Sequence, residues 1–269
     1  MAAISLSPEG FPMAPSQEVW DALSSEERAR VVAELPNEVT DAEIAMPEGD
    51  RHYQAKSRAL DALRGYYARQ RRRVYLAAEL PIYYPAEPRF APDLLAVVDV
   101  DVEDHLRDQW VVSAERKGLD WVMEVHVGGD RKKDAERNVA HYARLGIPEY
   151  FLYDRARNQL FAHRLSSPNA ATYSHIPPVH GRYESRALGL EVEIAQDRLR
   201  FFAGTTMLLE SDELIVRLEQ MLDQVQQRAE EEARRREEET RLREEETHRR
   251  EEAEREVARL REELERLKR

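Results

Sequence analysis

The chain of 269 residues contains no cysteine. It can therefore form neither a disulfide framework nor a thiolate metal site, and it offers no thiol nucleophile. It also has no apolar run near the length that crosses a bilayer, and residues 1–15 lack a basic segment followed by an apolar one. We therefore expect a soluble protein with no membrane span, and the cytoplasm is its default location.

Acidic residues outnumber basic ones, which gives a formal net charge of −12. Such a field repels a phosphate backbone at long range, so nucleic-acid binding would need a local basic patch. Two clusters could supply one: Arg69 with residues 71–73, and residues 131–133. Each is equally well interpreted as a solvated face.

The hydrophobic pattern predicts three segments: a leader with one helix over residues 1–39, a globular domain over 40–210 and a charged helical tail over 211–269. Residues 1–15 have no periodicity and read as a mobile leader. A helix is expected over residues 20–35, where Ser24 and Glu27 have the spacing of a capping box.

The globular segment has the pattern of an α/β domain. A helix over residues 50–70 precedes five apolar strands, and a further helix, over 130–145, ends at Gly146 with Pro148 just beyond. Residues 105–118 are polar, and we expect a loop with a weak edge strand there. We expect a loop over the polar residues 166–185. The strands are predicted at 74–80, 94–98, 121–127, 150–154 and 160–163, with shorter ones at 188–194 and 199–202.

Two carboxylates stand out in this pattern. Asp93 follows Pro92 at the head of one apolar strand, and Glu124 interrupts another. A carboxylate inside a buried strand must be compensated, and two carboxylates with waters suit Mg²⁺, which can assist phosphodiester hydrolysis. His126 lies two residues on, on the same face of the strand as Glu124. The plainer alternatives are that Asp93 caps a turn and that Glu124 pairs with an arginine.

At these positions the chain resembles the Uma-type restriction endonucleases, a group within the PD-(D/E)XK nuclease superfamily. The matching features are His52 at a helix start, the segments at 79–81, 90–94 and 121–125, Asp134, the block at 142–154 and Leu188-Gly189-Leu190. The resemblance implies a restriction-endonuclease-like mixed sheet flanked by helices, with Asp93 and Glu124 as ligands of Mg²⁺ or Mn²⁺ and DNA as the substrate. His52 itself is expected to face water at its helix terminus.

The chain departs from the family pattern where lysines are expected. The superfamily lysine two residues after the glutamate is His126, and the lysine of the following helix is Asn138. Such an ammonium positions the attacking water and offsets charge in the transition state. Lys132, Lys133 or His126 could substitute, and His126 could also serve as a third metal ligand.

Two function classes remain open at this point. The leading hypothesis is a metal-dependent endonuclease that cleaves DNA. The alternative, favoured by His126 and Asn138, is a catalytically degenerate nuclease fold that binds or scaffolds through its helical tail.

The tail has neither glycine nor proline after residue 210, so one helix of about 90 Å is geometrically possible. Apolar side chains at both of its ends alternate steps of three and four residues, which is the heptad signature of a coiled coil. They are Leu214, Leu218, Met221 and Val225 at one end, and Val257, Leu260, Leu264 and Leu267 at the other. We expect a parallel homodimer through this helix, or a solvated spacer with no partner.

Overall fold

The computed structural model of the chain describes residues 4–38, 49–100, 107–127 and 136–267. It contains two compact units, Met1–Ser211 and Asp212–Arg269. The elements of the described residues, in chain order, are β1 (Ser5–Leu6), β2 (Pro12–Met13), α1 (Gln17–Ala22), α2 (Ser25–Glu34), α3 (Gly49–Tyr67), β3 (Val74–Ala77), β4 (Ile82–Tyr83), β5 (Leu94–Val98), β6 (Trp110–Val111), α4 (Val112–Glu115), β7 (Trp121–His126), α5 (Asn138–Arg144), β8 (Glu149–Asp154), β9 (Gln159–Leu165), β10 (Tyr173–His175), β11 (Tyr183–Ser185), β12 (Leu190–Ala195), β13 (Arg198–Ala203), β14 (Thr206–Met207) and α6 (Ser211–Leu267).

A six-stranded mixed sheet forms the centre of the first unit, in the order β10-β9-β8-β7-β5-β3. Only β7 and β8 run parallel among its neighbouring pairs, and the other four pairs are antiparallel. All five residues of β5 are buried, as are all six of β8, because both faces of the sheet are covered. The fold is therefore the mixed α/β sheet flanked by helices that the sequence predicts.

Different elements cover the two faces of this sheet. On one face, α3 and the second sheet, β11 to β14, bury Leu63, Trp121, Phe151 and Phe201 in a common apolar core. On the other face, α5 packs through Tyr142 in a core that also holds Trp110, Val122 and Tyr150. Alternate residues of β7 thus point to opposite faces, and Glu124 follows Val122 towards the α5 side.

The prediction of a mobile leader is wrong for its described part. β1 and β2 pair in an antiparallel hairpin, with the Ser7 backbone N–H donating to the Phe11 carbonyl at 2.8 Å. The Arg89 N–H donates to the Pro12 carbonyl at 2.9 Å, and Ala14 is buried. These backbone hydrogen bonds tie the segment to the domain, which a search for apolar periodicity does not detect.

The first predicted helix is two helices, α1 and α2. The capping box is confirmed, but Ser24 caps the start of α2 rather than lying inside one longer helix. Its side chain accepts from the Glu27 N–H, and the Glu27 carboxylate accepts from the Ser24 N–H. The capping residue has an extended backbone, which separates the two helices.

Residues 105–118 contain a short strand, β6, as the sequence predicts, and the loop predicted over 166–185 also holds regular structure. Trp110–Val111 pairs parallel to β4, and the short α4 follows it. In the second loop, β10 extends the edge of the main sheet and β11 pairs with β12. β10 and β11 have three residues each, which is too short for alternation to reveal. Residues 101–106 and 128–135 lie outside the described part of the chain. Of the helix predicted over 130–145, only the part from residue 136 onwards is therefore described.

The tail forms a single helix, α6, of 57 residues. Its middle is lined by Glu–Arg pairs four residues apart, for example Arg236 with Glu232 at 2.5 Å and Arg243 with Glu239 at 2.7 Å. Such exposed pairs each contribute only about 0.2–0.5 kcal/mol, but they recur along the helix. None of the helices in the described ranges is both long and apolar enough to span a membrane.

Gly146 ends α5 in a Schellman motif. Its N–H donates to the Ala143 carbonyl at 3.0 Å, and the next N–H, of Ile147, donates to the Tyr142 carbonyl at 3.1 Å. Gly146 has φ +73°, which is open to glycine without cost. The motif fixes the point at which the chain leaves α5 and enters β8.

We predict that Gly146→Ala destabilises the protein by about 1–2 kcal/mol, because alanine resists the left-handed backbone. Urea unfolding measures the change. Gly65→Ala is the matched control, since Gly65 lies in the helical backbone of α3, and an added Cβ would meet Arg69 only at 3.8 Å. That variant should gain about 0.5–1 kcal/mol. Equal effects of the two substitutions would contradict the interpretation.

Candidate metal centre

Asp93 and Glu124 lie opposite each other on neighbouring strands. β5 pairs antiparallel with β7, with Leu94 opposite Met123, and continuing this register by one residue brings Asp93 next to Glu124. The Asp93 backbone N–H donates to Glu124 Oε2 at 3.3 Å, and the Val125 N–H donates to Asp93 Oδ2 at 2.8 Å. The two carboxylates predicted to share a site are thus brought together at one end of two adjacent strands.

Helix α3 supplies the surroundings of Asp93. His52 Nε2 lies 3.0 Å from Asp93 Oδ1, and Lys56 Nζ lies 3.3 Å from the same oxygen. Burial alone would raise the pKa of Asp93, but the contacts with His52, Lys56 and the Val125 N–H outweigh it and lower that pKa. Asp93 is therefore held as a carboxylate.

The expectation that His52 faces water is wrong. Its residue is only 5% exposed, and it points inwards to Asp93. His52 and Lys56 are four residues apart, so both side chains leave α3 on the same face.

Lys56 also contacts Glu79, which follows β3. The two side chains form a short ion pair, and the Lys56 residue is buried. Burial alone would lower the pKa of Lys56, but Asp93 and Glu79 outweigh it and raise that pKa, so the ammonium is kept. Glu79 has φ +52°, which is uncommon for a residue other than glycine. Its N–H donates to the Pro92 carbonyl at 3.0 Å, next to Asp93.

Helix α5 supplies the surroundings of Glu124. The Tyr142 hydroxyl donates to Glu124 Oε1 at 2.5 Å, and the Asn138 side-chain amide reaches the same oxygen at 3.4 Å. Burial and the neighbouring Glu124 carboxylate raise the pKa of Tyr142 well above its usual value, so its hydroxyl stays a donor. These two donors compensate part of the negative charge of Glu124.

His126 is buried and lies on the same side of β7 as Glu124 by strand alternation. Its partner in the sheet register is Asp154 on β8. Burial would raise the pKa of Asp154, but hydrogen bonds from Arg157 and the charge of His126 lower it. Lys132 and Lys133 lie outside the described residues.

The donor set and the charge both fit a hydrated divalent cation. Asp93, Glu124 and Glu79 carry three negative charges, and Lys56 carries one positive charge, which leaves a formal −2 with histidine neutral. Mg²⁺ takes one or two protein carboxylates and keeps its remaining waters. Among the described residues no cluster of three or more histidine, aspartate or glutamate side chains is arranged to hold a metal.

Three of these side chains were missed by reasoning from sequence: Lys56, Glu79 and Tyr142. A signal for Lys56 and Tyr142 existed, because Lys56 is four residues after His52 and Tyr142 is four residues after Asn138, on the two helices that flank the sheet. The register between β5 and β7, which brings these helices to one site, is not readable from the sequence.

The whole arrangement lies inside a segment that a known family covers. A family model named Uma2 and described as "Putative restriction endonuclease" matches residues 25–197, which is more than half of the chain. The chain belongs to the Uma2 family. The family resemblance inferred from the sequence is therefore confirmed, and the match includes both carboxylates and the two flanking helices.

A solved structure gives a more distant comparison. It is the crystal structure of a putative nuclease belonging to DUF820 from Anabaena variabilis ATCC 29413, with 16% sequence identity and a TM-score of 0.40. The similarity covers 53% of this chain and 75% of the other. A comparison with curated proteins finds no significant match.

Proposed function

We propose that this Uma2 protein is a metal-dependent endonuclease that hydrolyses phosphodiester bonds of DNA. The observation that carries the proposal is the convergence of Asp93 and Glu124 across the pairing of β5 and β7. Nucleases of the PD-(D/E)XK type generally use divalent metals, and the family of this chain supports that class of chemistry. Asp93 and Glu124 would hold Mg²⁺ or Mn²⁺, which share a preference for oxygen ligands.

In the hydrolysis, a water oxygen forms a bond to phosphorus while the bond to the leaving deoxyribose oxygen breaks. The attacking water loses a proton, and the leaving oxygen gains one. A bound divalent cation lowers the pKa of water and neutralises charge on the phosphate. Tyr142 and Asn138 orient Glu124, and His52 and Lys56 orient Asp93.

The proton of the attacking water needs an acceptor. His126 is our candidate, because it lies on the Glu124 side of β7 and a neutral imidazole ring can accept a proton. Lys132 and Lys133, in the segment that leads to α5, stay candidates for offsetting charge on the phosphate.

We keep a cytoplasmic location as a prediction.

DNA must approach against the net charge of −12, which requires local cations. The exposed side chains of Arg69 and Arg71, just after α3, are candidates for contacts with the phosphate backbone. The second candidate function, a nuclease fold that binds without cleaving, is favoured by Asn138, because it contacts Glu124 where family members carry a lysine.

We predict that Asp93→Asn and Glu124→Gln each reduce Mg²⁺- or Mn²⁺-dependent plasmid nicking at least about 100-fold, because each removes one charged ligand. Asp120→Asn is the matched control. Asp120 accepts the Val98 N–H at 2.8 Å at the opposite end of the same two strands, so it undergoes the same chemical change away from the site. Nicking of supercoiled plasmid, followed on agarose gels, measures all four proteins.

Wild-type protein that leaves plasmid intact with either cation would overturn the endonuclease and favour the binding module. Retained nicking in Glu124→Gln would show that the reaction does not use this site. Thermal unfolding of each variant separates loss of activity from loss of folding.

We propose also that α6 forms a parallel homodimer. Its two heptad segments leave Leu218, Met221 and Val225 about half exposed or more at one end, and Leu260 and Leu264 likewise at the other. Two copies of the helix would bury these stripes against each other. Such a dimer would bring two nuclease domains to the two strands of a duplex.

Sedimentation equilibrium tests the dimer. We expect the full chain to have twice the mass of a monomer, and a chain that ends at Glu210 to be monomeric. Leu218→Glu should weaken the dimer, whereas Gln220→Glu, which adds the same charge off the stripe, should not. Monomeric mass for the full chain at all concentrations would leave the solvated spacer as the correct interpretation.

A further inference from the structure

We infer that Lys56 provides the ammonium that the family pattern places at positions 126 and 138. The positively charged side chain of the site then comes from α3. The inference rests on the proposed endonuclease function. Its starting point is geometric: Lys56 Nζ lies 3.3 Å from Asp93 Oδ1, and Asp93 lies opposite Glu124. Lys56 is thus a positioning residue of the metal centre, acting through Asp93.

The burial of Lys56 argues against a role in apolar packing alone. The neighbouring inward positions of α3 are Ala55, Ala59 and Leu63, which pack into the apolar core. A buried charge pays a desolvation penalty, which an apolar side chain at this position would avoid. An apolar side chain at position 56 would serve packing equally well, so the ammonium needs a reason connected with the carboxylates.

The partner of Lys56 adds a second observation. Glu79 contacts the ammonium from a left-handed backbone with φ +52°. A residue other than glycine in this region costs on the order of 1 kcal/mol. Its N–H is anchored on the Pro92 carbonyl, so the same short segment that presents Asp93 also places Glu79.

The positions where the family carries lysine are engaged otherwise in this chain. Asn138 directs its side-chain amide to Glu124 Oε1, and His126 interacts with Asp154. Because neither position carries a lysine, the positive charge next to the two carboxylates must come from another element. Lys56 reaches that place from the opposite side of the sheet, through the end of β5.

This placement has a signature that separates positioning from folding. The Lys56 ammonium and a metal held by Asp93 are both positively charged and repel each other. Removing the ammonium should therefore not weaken metal binding. It should weaken the reaction, because Asp93 still binds the metal but holds it less rigidly, and the phosphate loses a neighbouring positive charge. A structural lysine would instead lose metal binding and activity together.

The experiment compares Lys56→Gln and Lys56→Arg with wild type. Glutamine keeps hydrogen-bond donors without the charge, and arginine keeps the charge. We expect Lys56→Gln to lower plasmid nicking about 100-fold, with a Kd for Mn²⁺ no weaker than that of wild type by calorimetry. Lys56→Arg should recover at least about ten-fold of the lost rate, because the positive charge returns.

Lys117→Gln is the matched control. Lys117 lies 3.3 Å from Asp120 at the far end of the same strands, and its variant should nick DNA at the wild-type rate. Lys56→Gln that nicks DNA like wild type would overturn the inference and leave the endonuclease intact, as would Lys56→Gln that loses Mn²⁺ binding together with activity. Wild type that neither binds Mn²⁺ nor nicks DNA would overturn the proposed function and this inference with it. If Lys56→Gln does not fold, Lys56→Arg with weakened Mn²⁺ binding and wild-type nicking would overturn the inference.

Discussion

The antiparallel pairing of β5 with β7 is the constraint on which the site depends. It sets Asp93 opposite Glu124, and two backbone N–H groups cross between the strands to the two carboxylates. A shift of the register by one residue would send one carboxylate to the other face of the sheet. The buried strands β5 and β7, apolar on both faces, hold that register.

Each carboxylate is then contacted by a different helix. Asp93 meets His52 and Lys56 of α3, and Glu124 meets Tyr142 and Asn138 of α5. The two helices therefore do more than cover apolar surface, because they also compensate buried charge. The same two helices thus pack against the sheet and contact the carboxylates of the site. A variant that moves either helix would disturb both the packing and the site.

Sequence reasoning reached the carboxylates because Glu124 interrupts an apolar strand, a pattern with few structural explanations. It misread His52 as solvent-facing, since helix periodicity does not say which end of a helix is covered. It missed Lys56 because a lysine on a helix is usually exposed, and only the tertiary approach of α3 to the end of β5 shows otherwise. The short strands β10 and β11 escaped for a different reason: strands of three residues carry too little alternation to be seen.

The central claim is that Asp93 and Glu124 together hold a divalent cation, and calorimetric titration with Mn²⁺ in the absence of DNA tests it most directly. The account predicts one binding site per chain in the wild-type protein and its loss in Glu124→Gln, with folding unchanged. Equal Mn²⁺ binding by the two proteins, or none by the wild type, would contradict it.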